Sequence, residues 1–321
     1  MANNKNIITS TVKIAIGIGS FALIYWRLKN DFTSDKLEAI NSALHQSSSY
    51  LLVLLCILLI PVNWGIESYK WQRITQKTES ISFSTAMQSV YSGVCVGNLA
   101  PGRATEFLAK ILFFKPENRP TITILHFVNG IIQLSVTLII GMLCVFLRLG
   151  NSGADQKTIW LPIIFSAVLL VCFVLIFIFF KPISAWILSK FKTTSELSNT
   201  SLSISDLPIL KLIIWSSIRY FVFAFQFILL IKLFYAGDFD VEIFAAVGLY
   251  FLLTTALPMI SFIEAVIRSA IALLVFQGLQ ISEIALVCVA VLLWLLNIVV
   301  PSVIGYVIIV RKKFEFNLFK K

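Results

Sequence analysis

The chain has 321 residues, of which 58% are hydrophobic and 13% charged, with a mean hydropathy of +0.91. A water-soluble domain of that composition would have too few polar residues to cover its core, so the sequence is that of an integral membrane protein. At about 20 apolar residues per span there is room for roughly eight membrane-depth segments and none for a soluble catalytic domain. The formal charge of +10 does not point to nucleic acid. The basic residues fall singly or in short runs between apolar segments, the pattern of loops facing anionic lipid.

Apolar runs bounded by charges and turn residues lie at about 7–26, 50–69, 84–114, 121–148, 158–180, 209–235, 243–276 and 284–310. The first carries no clear small-x-small cleavage site and reads as a retained helix; its glycines, in AIGIGS, follow no strand and fit close helix packing better than a phosphate loop. Two runs differ from simple spans. The run 84–114 is rich in small and polar residues and is cut at Pro101-Gly102, and 243–276 is cut at Pro258. Each holds about 30 residues, enough for two half-depth helices and too few for two full crossings, so both are expected to be re-entrant hairpins. The expected architecture is all-α and polytopic, with about six spanning helices and two hairpins in a single membrane domain.

Basic residues test the topology, because cytoplasmic loops collect them. With the N-terminus inside and each hairpin returning to its own side, inside segments 1–13, 70–82, 110–119, 181–211 and 311–321 hold 17 Lys and Arg, and the outside segments hold 6. The expected location is therefore the plasma or inner membrane, with both termini cytoplasmic. This topology makes 50–148 and 209–310 an inverted repeat: span, hairpin, span in each half, with opposite orientation. Between them lies a polar linker at 192–206, KTTSELSNTSLSISD, preceded by an interfacial ISAWILSKF.

The five cysteines lie in apolar runs without CxxC or Cys/His spacing and read as buried thiols. His45 and His126 are isolated, so neither a metal site nor a cofactor is expected. What remains is a set of ionisable groups at membrane depth: Glu67, Arg103, Glu106, Arg219, Glu264 and Arg268. Arg103 and Glu106 are spaced i,i+3 after the first break, and Glu264 and Arg268 i,i+4 after the second; on helices each pair would share a face. Two opposed hairpins would each bring a break, a helix N-terminus and an Arg/Glu pair toward mid-bilayer, where secondary transporters bind cargo. Arginines and helix N-termini favour an anion, and phosphate above others.

Structural readings stand beside these. Each Arg/Glu pair also fits a self-neutralising role that only holds the fold. Ser261-Phe-Ile-Glu264 matches a capping box, so Glu264 also fits a role at its own helix N-terminus. Glu67 fits a pair with Lys70 or Arg73 as well as a place in the site. Arg219 divides evenly between snorkelling and function. Asn98, just ahead of the first break, is a further candidate.

PGRATEFLAK at 101–110 resembles the Pro-Gly-Arg-x-x-Glu motif of the lysylphosphatidylglycerol synthase transmembrane region, the flippase-like membrane part of multiple peptide resistance factor. NWGIESYKWQRI at 63–74 and LPMISFIEAVIRSAIALLVF at 257–276 resemble the family's preceding segment and second signature. The resemblance implies inverted re-entrant hairpins and the movement of lipids with charged head groups or of sugar-carrying polyprenyl phosphates. By position, Pro101, Gly102, Arg103 and Glu106 match the first motif, and Pro258 with Glu264 the second. Many members have glycines after the second proline where this chain has Met259, Ile260 and Ser261. The family's soluble synthase domain has no counterpart in this sequence.

The expectation is a flippase-like protein for phospholipid, aminoacyl lipid or polyprenyl-phosphate-linked sugar. Arg103 and Arg268, with Arg219 as a third candidate, would hold phosphate, and Glu106 and Glu264 would either position them or bind a cationic head group or a proton. The alternatives are a membrane-embedded transferase with a polyprenyl-phosphate donor, for which only the glutamates offer a base, and an accessory subunit of envelope-lipid synthesis. Expected partners are membrane lipids and a companion synthase or transferase, not nucleic acid.

Overall fold

A computed structural model of the chain describes residues 24–26, 38, 42, 45–98, 103–151, 207–257 and 261–312. The first span, the run 158–180, the linker 192–206, both termini, Cys172, and the break residues Pro101, Gly102 and Pro258 lie outside the described residues, as does the side chain of Ser261.

Among the described residues all regular structure is helical. Helices α1 (Ser47–Thr75), α2 (Phe83–Gly97), α3 (Glu106–Ile111) and α4 (Arg119–Asn151) precede the linker region. Helices α5 (Ile209–Phe234), α6 (Val241–Ala256), α7 (Ser261–Val275), α8 (Glu283–Trp294) and α9 (Val300–Arg311) follow it, with a single π-helical turn at Leu295–Val299 joining the last two. Among the described residues four helical stretches are long and apolar enough to cross a bilayer: Ser49–Thr75, Pro116–Leu149, Ile209–Phe234 and Glu283–Arg311. The chain is thus a helical membrane protein.

Between the long helices lie short ones. With 15 residues in α2, 16 in α6 and 15 in α7, none exceeds about 24 Å, less than the ~30 Å hydrocarbon core. Helix α3, at 6 residues, is a turn and a half. Helix α2 ends at Gly97 and α6 at Ala256, just ahead of the expected breaks, which themselves lie outside the described residues. Local signals set the other ends: Ser82 caps α2 by accepting from the Thr85 amide at 3.1 Å, and Asp240 caps α6 by accepting from the Ile243 amide at 2.9 Å.

Each half builds its own apolar core. Trp64, Trp71, Val90, Ile111 and Leu125 pack together from α1 to α4, and Phe227, Tyr250, Ala272, Phe276 and Leu293 from α5 to α8. The halves then interlock reciprocally. Helix α1 packs on α5, α4 of the first half lies along α6 of the second, and α9 of the second lies along α2 of the first. Glycine makes the last approach: a Cβ on Gly305 of α9 would run into the Tyr91 carbonyl of α2. The exchange of halves is imperfect, since α7 packs broadly on α8 while the much shorter α3 touches α4 more lightly.

Candidate functional site: a charged cavity between the halves

A cavity of ≈ 500 Å³ opens between the two cores, and both Arg/Glu sets line it: Arg103 and Glu106 from the first half, Glu264 and Arg268 from the second. Glu67 of α1 and Arg219 of α5 line it too. The exposed residues among its described lining, Ala104, Phe127, Gly130, Thr255 and Leu257, carry no charge.

On the first-half side, Glu67 is the hub. Its carboxylate accepts from Asn129 Nδ2 at 2.7 Å and lies 3.3 Å from both Lys70 Nζ and Arg219 Nη1, with Lys110 Nζ at 3.9 Å. The Lys70 reading of Glu67 holds, and so does its place on the cavity; Arg73 instead donates to Gln76. Arg219 is clamped on every side. Its Nε donates to Asn63 Oδ1 at 3.1 Å, and its guanidinium lies over the rings of Trp64 and Phe223 at 5.2 and 5.3 Å. It therefore points into the protein rather than snorkelling.

The expected Arg103–Glu106 pair does not form. Arg103 precedes α3 in a backbone conformation with φ 56, the left-handed region that side chains other than glycine seldom adopt. It is off the helix, and the i,i+3 geometry does not apply. Glu106 pairs instead with Lys110, at 2.7 Å and i,i+4 spacing. Lys110 is 1% exposed and stands over the Trp71 ring at 5.0 Å. Small residues on α2 make this possible: a Cβ on Gly93 would lie 2.8 Å from Lys110 Cγ and 3.1 Å from Glu106 Cγ. The turn is tied to α2 by Thr105 Oγ1 donating to the Val96 carbonyl at 2.7 Å, and α3 by Ser89 Oγ donating to the Lys110 carbonyl at 3.2 Å. Arg103 itself has no hydrogen bond or ion pair with any described residue.

The second-half pair follows its spacing. Arg268 Nη2 and Nε donate to Glu264 Oε1 at 2.8 and 3.0 Å, so the Glu264 carboxylate serves Arg268. Asn98, by contrast, ends α2 and donates to Ser302 Oγ of α9, and is not on the cavity lining.

Several participants are neutral amides. Lys70 Nζ donates to Gln133 Oε1 at 3.0 Å. Asn63 donates to Asn297 at 3.2 Å, Asn297 to Gln226 at 2.7 Å, and Gln226 to the Cys56 carbonyl at 2.8 Å. This chain of amides crosses from α1 to the π turn and α5 and joins the two halves, with Asn297 on the cavity lining. The signal for them was present in the sequence, since an Asn or Gln inside an apolar run needs a partner. Lys70 and Lys110 had been assigned to cytoplasmic loops. They are instead buried, at 0% and 1% exposure, and so is Arg119 at 3%, so three of the basic residues counted as cytoplasmic are not loop charges. The cysteine reading needs a smaller correction: Cys56 is buried, while Cys95, Cys144 and Cys288 are half-buried free thiols.

No protein-family model and no curated protein sequence matches the chain.

Proposed function

We propose that the chain is a flippase-like membrane protein that binds lipids by a phosphate-bearing head group and moves them between leaflets. The observation that carries this reading is the convergence of Arg103 and Arg219 with Arg268 on one cavity, where among the described residues Arg103 has no hydrogen bond or ion pair and the exposed lining carries no charge. A guanidinium without a partner in an otherwise charge-paired, largely buried site is suited to a phosphate oxygen, while acyl or prenyl chains stay against the apolar exterior. The reading places α2–α3 and α6–α7 as two re-entrant hairpins of an inverted repeat, within about six spans and with both termini cytoplasmic in the plasma or inner membrane. Helices too short to cross and the reciprocal packing of α4 on α6 and α9 on α2 support it. The motif resemblance to the lysylphosphatidylglycerol synthase transmembrane region agrees with it.

A transferase reading is less well supported. Each of the three cavity glutamates already has a cation within 3.3 Å, so none stands ready as a general base.

The test is leaflet exchange of a fluorescent phosphatidylglycerol analogue in proteoliposomes. The proposal expects exchange that wild type supports and Arg103→Gln, folded and reconstituted equally, does not. Exchange no faster than in protein-free vesicles, together with turnover of a polyprenyl-phosphate sugar donor, would replace it with the transferase reading.

A further inference from the structure

We infer that the cavity selects an anionic head group that carries no amine, so that aminoacylated and ethanolamine lipids are excluded from it. This rests on the proposed lipid-binding role and narrows it.

Positive charge exceeds negative charge around the cavity. Its lining carries four basic residues, Arg103, Lys110, Arg219 and Arg268, against three acidic ones, Glu67, Glu106 and Glu264. Lys70, fully buried against Glu67, adds a fifth positive charge behind the wall. The described surroundings therefore hold an excess of one positive charge on the lining, or two with Lys70. An ammonium head group would add to that excess in a medium where like charges repel strongly.

The carboxylates give the second half of the argument. A buried ammonium group is received best by an acidic side chain, and among the described lining residues no carboxylate is free of a cation. Glu67 faces Lys70 and Arg219 at 3.3 Å and accepts from Asn129. Glu106 holds Lys110 at 2.7 Å, and Glu264 holds Arg268 at 2.8 Å. To bind a lysyl or ethanolamine head group, the protein would have to break one of these pairs and leave a buried cation uncompensated. A phosphate diester without an amine asks for no such break. It needs one positive group whose hydrogen-bond donors are uncommitted, and among the described residues Arg103, which has no hydrogen bond or ion pair, is that group.

The experiment titrates the full chain in detergent with short-chain phosphatidylglycerol, phosphatidylmethanol, phosphatidylethanolamine and lysyl-phosphatidylglycerol, read by calorimetry. Phosphatidylmethanol has the same charge as phosphatidylglycerol and no hydroxyls. The inference expects the two anionic lipids to bind about ten- to a hundred-fold more tightly than the two amine-bearing ones, the range of one charge-assisted hydrogen bond. In Arg103→Gln that gap should close. Arg103→Lys, which keeps the charge, should retain most of it and guards against a folding defect in the glutamine variant. Phosphatidylethanolamine or lysyl-phosphatidylglycerol binding as tightly as phosphatidylglycerol overturns the charge selection while leaving lipid binding intact. Saturable binding of none of the four overturns the lipid-binding role itself, and the inference with it.

Discussion

Glu67→Gln removes one negative charge from the most crowded part of the cavity wall. In the native protein that carboxylate faces Lys70 and Arg219 at 3.3 Å and Lys110 at 3.9 Å. Glutamine keeps the shape and an acceptor for Asn129, so the change isolates charge from volume. It leaves Lys70, Lys110 and Arg219 opposed by Glu106 alone, at sites where Lys70 and Lys110 are 0% and 1% exposed. Removing one partner of a buried ion pair costs about 3–5 kcal/mol, which at roughly 2 °C per kcal/mol is a loss of about 6–10 °C in melting temperature. The assay is thermal unfolding in detergent, followed by tryptophan fluorescence. The double variant Glu67→Gln/Lys70→Met restores the native net charge and should recover at least ~1 kcal/mol of the loss, as expected for directly coupled neighbours. A Glu67→Gln protein that melts within a degree of wild type would refute the reasoning, since the carboxylate would then not be compensating buried cations.

Three further outcomes follow from the same geometry. Gly93→Leu drives a side chain into the stems of Lys110 and Glu106; it should cost about 1–3 kcal/mol in thermal unfolding and weaken phosphatidylglycerol binding. Asn297→Leu strands the Asn63 amide and the Gln226 carbonyl, each otherwise hydrogen-bonded and fully buried; about 1–3 kcal/mol per stranded group should appear as a lowered melting temperature. Arg268→Gln leaves Glu264 buried without its cation, and lipid binding measured alongside melting should be recovered better by Glu264→Gln/Arg268→Gln than by Arg268→Gln alone.

The parts of this arrangement that depend on local spacing were legible in the sequence. Glu264 and Arg268 are one helical turn apart and pair as that spacing dictates. Helices α2 and α6, too short to cross a bilayer, end just ahead of Pro101-Gly102 and Pro258, the residues that mark the sequence's breaks. What failed was set by the backbone between elements or by tertiary packing. Arg103 left its expected partner because the turn at φ 56 takes it off the helix, a conformation that the letters Pro-Gly-Arg do not specify. Lys110 and Lys70 read as loop charges because a lysine beside an apolar run is most often interfacial. Their burial depends on Glu106 and Glu67, and on the room that Gly93 leaves. Asn63, Gln133 and Asn297 were visible as polar residues in apolar helices, but which of them met which depended on the packing of α1 against α5 and the π turn.

The most direct test of the central claim, a cavity in which Arg103 awaits a phosphate, is the phosphorus content of the purified chain. Wild type and Arg103→Gln are washed in detergent to constant composition and assayed for phosphorus per chain, with melting curves to establish that both are folded. The account predicts a tightly held, stoichiometric phosphorus in wild type that Arg103→Gln loses. Equal phosphorus in the two folded proteins would contradict it.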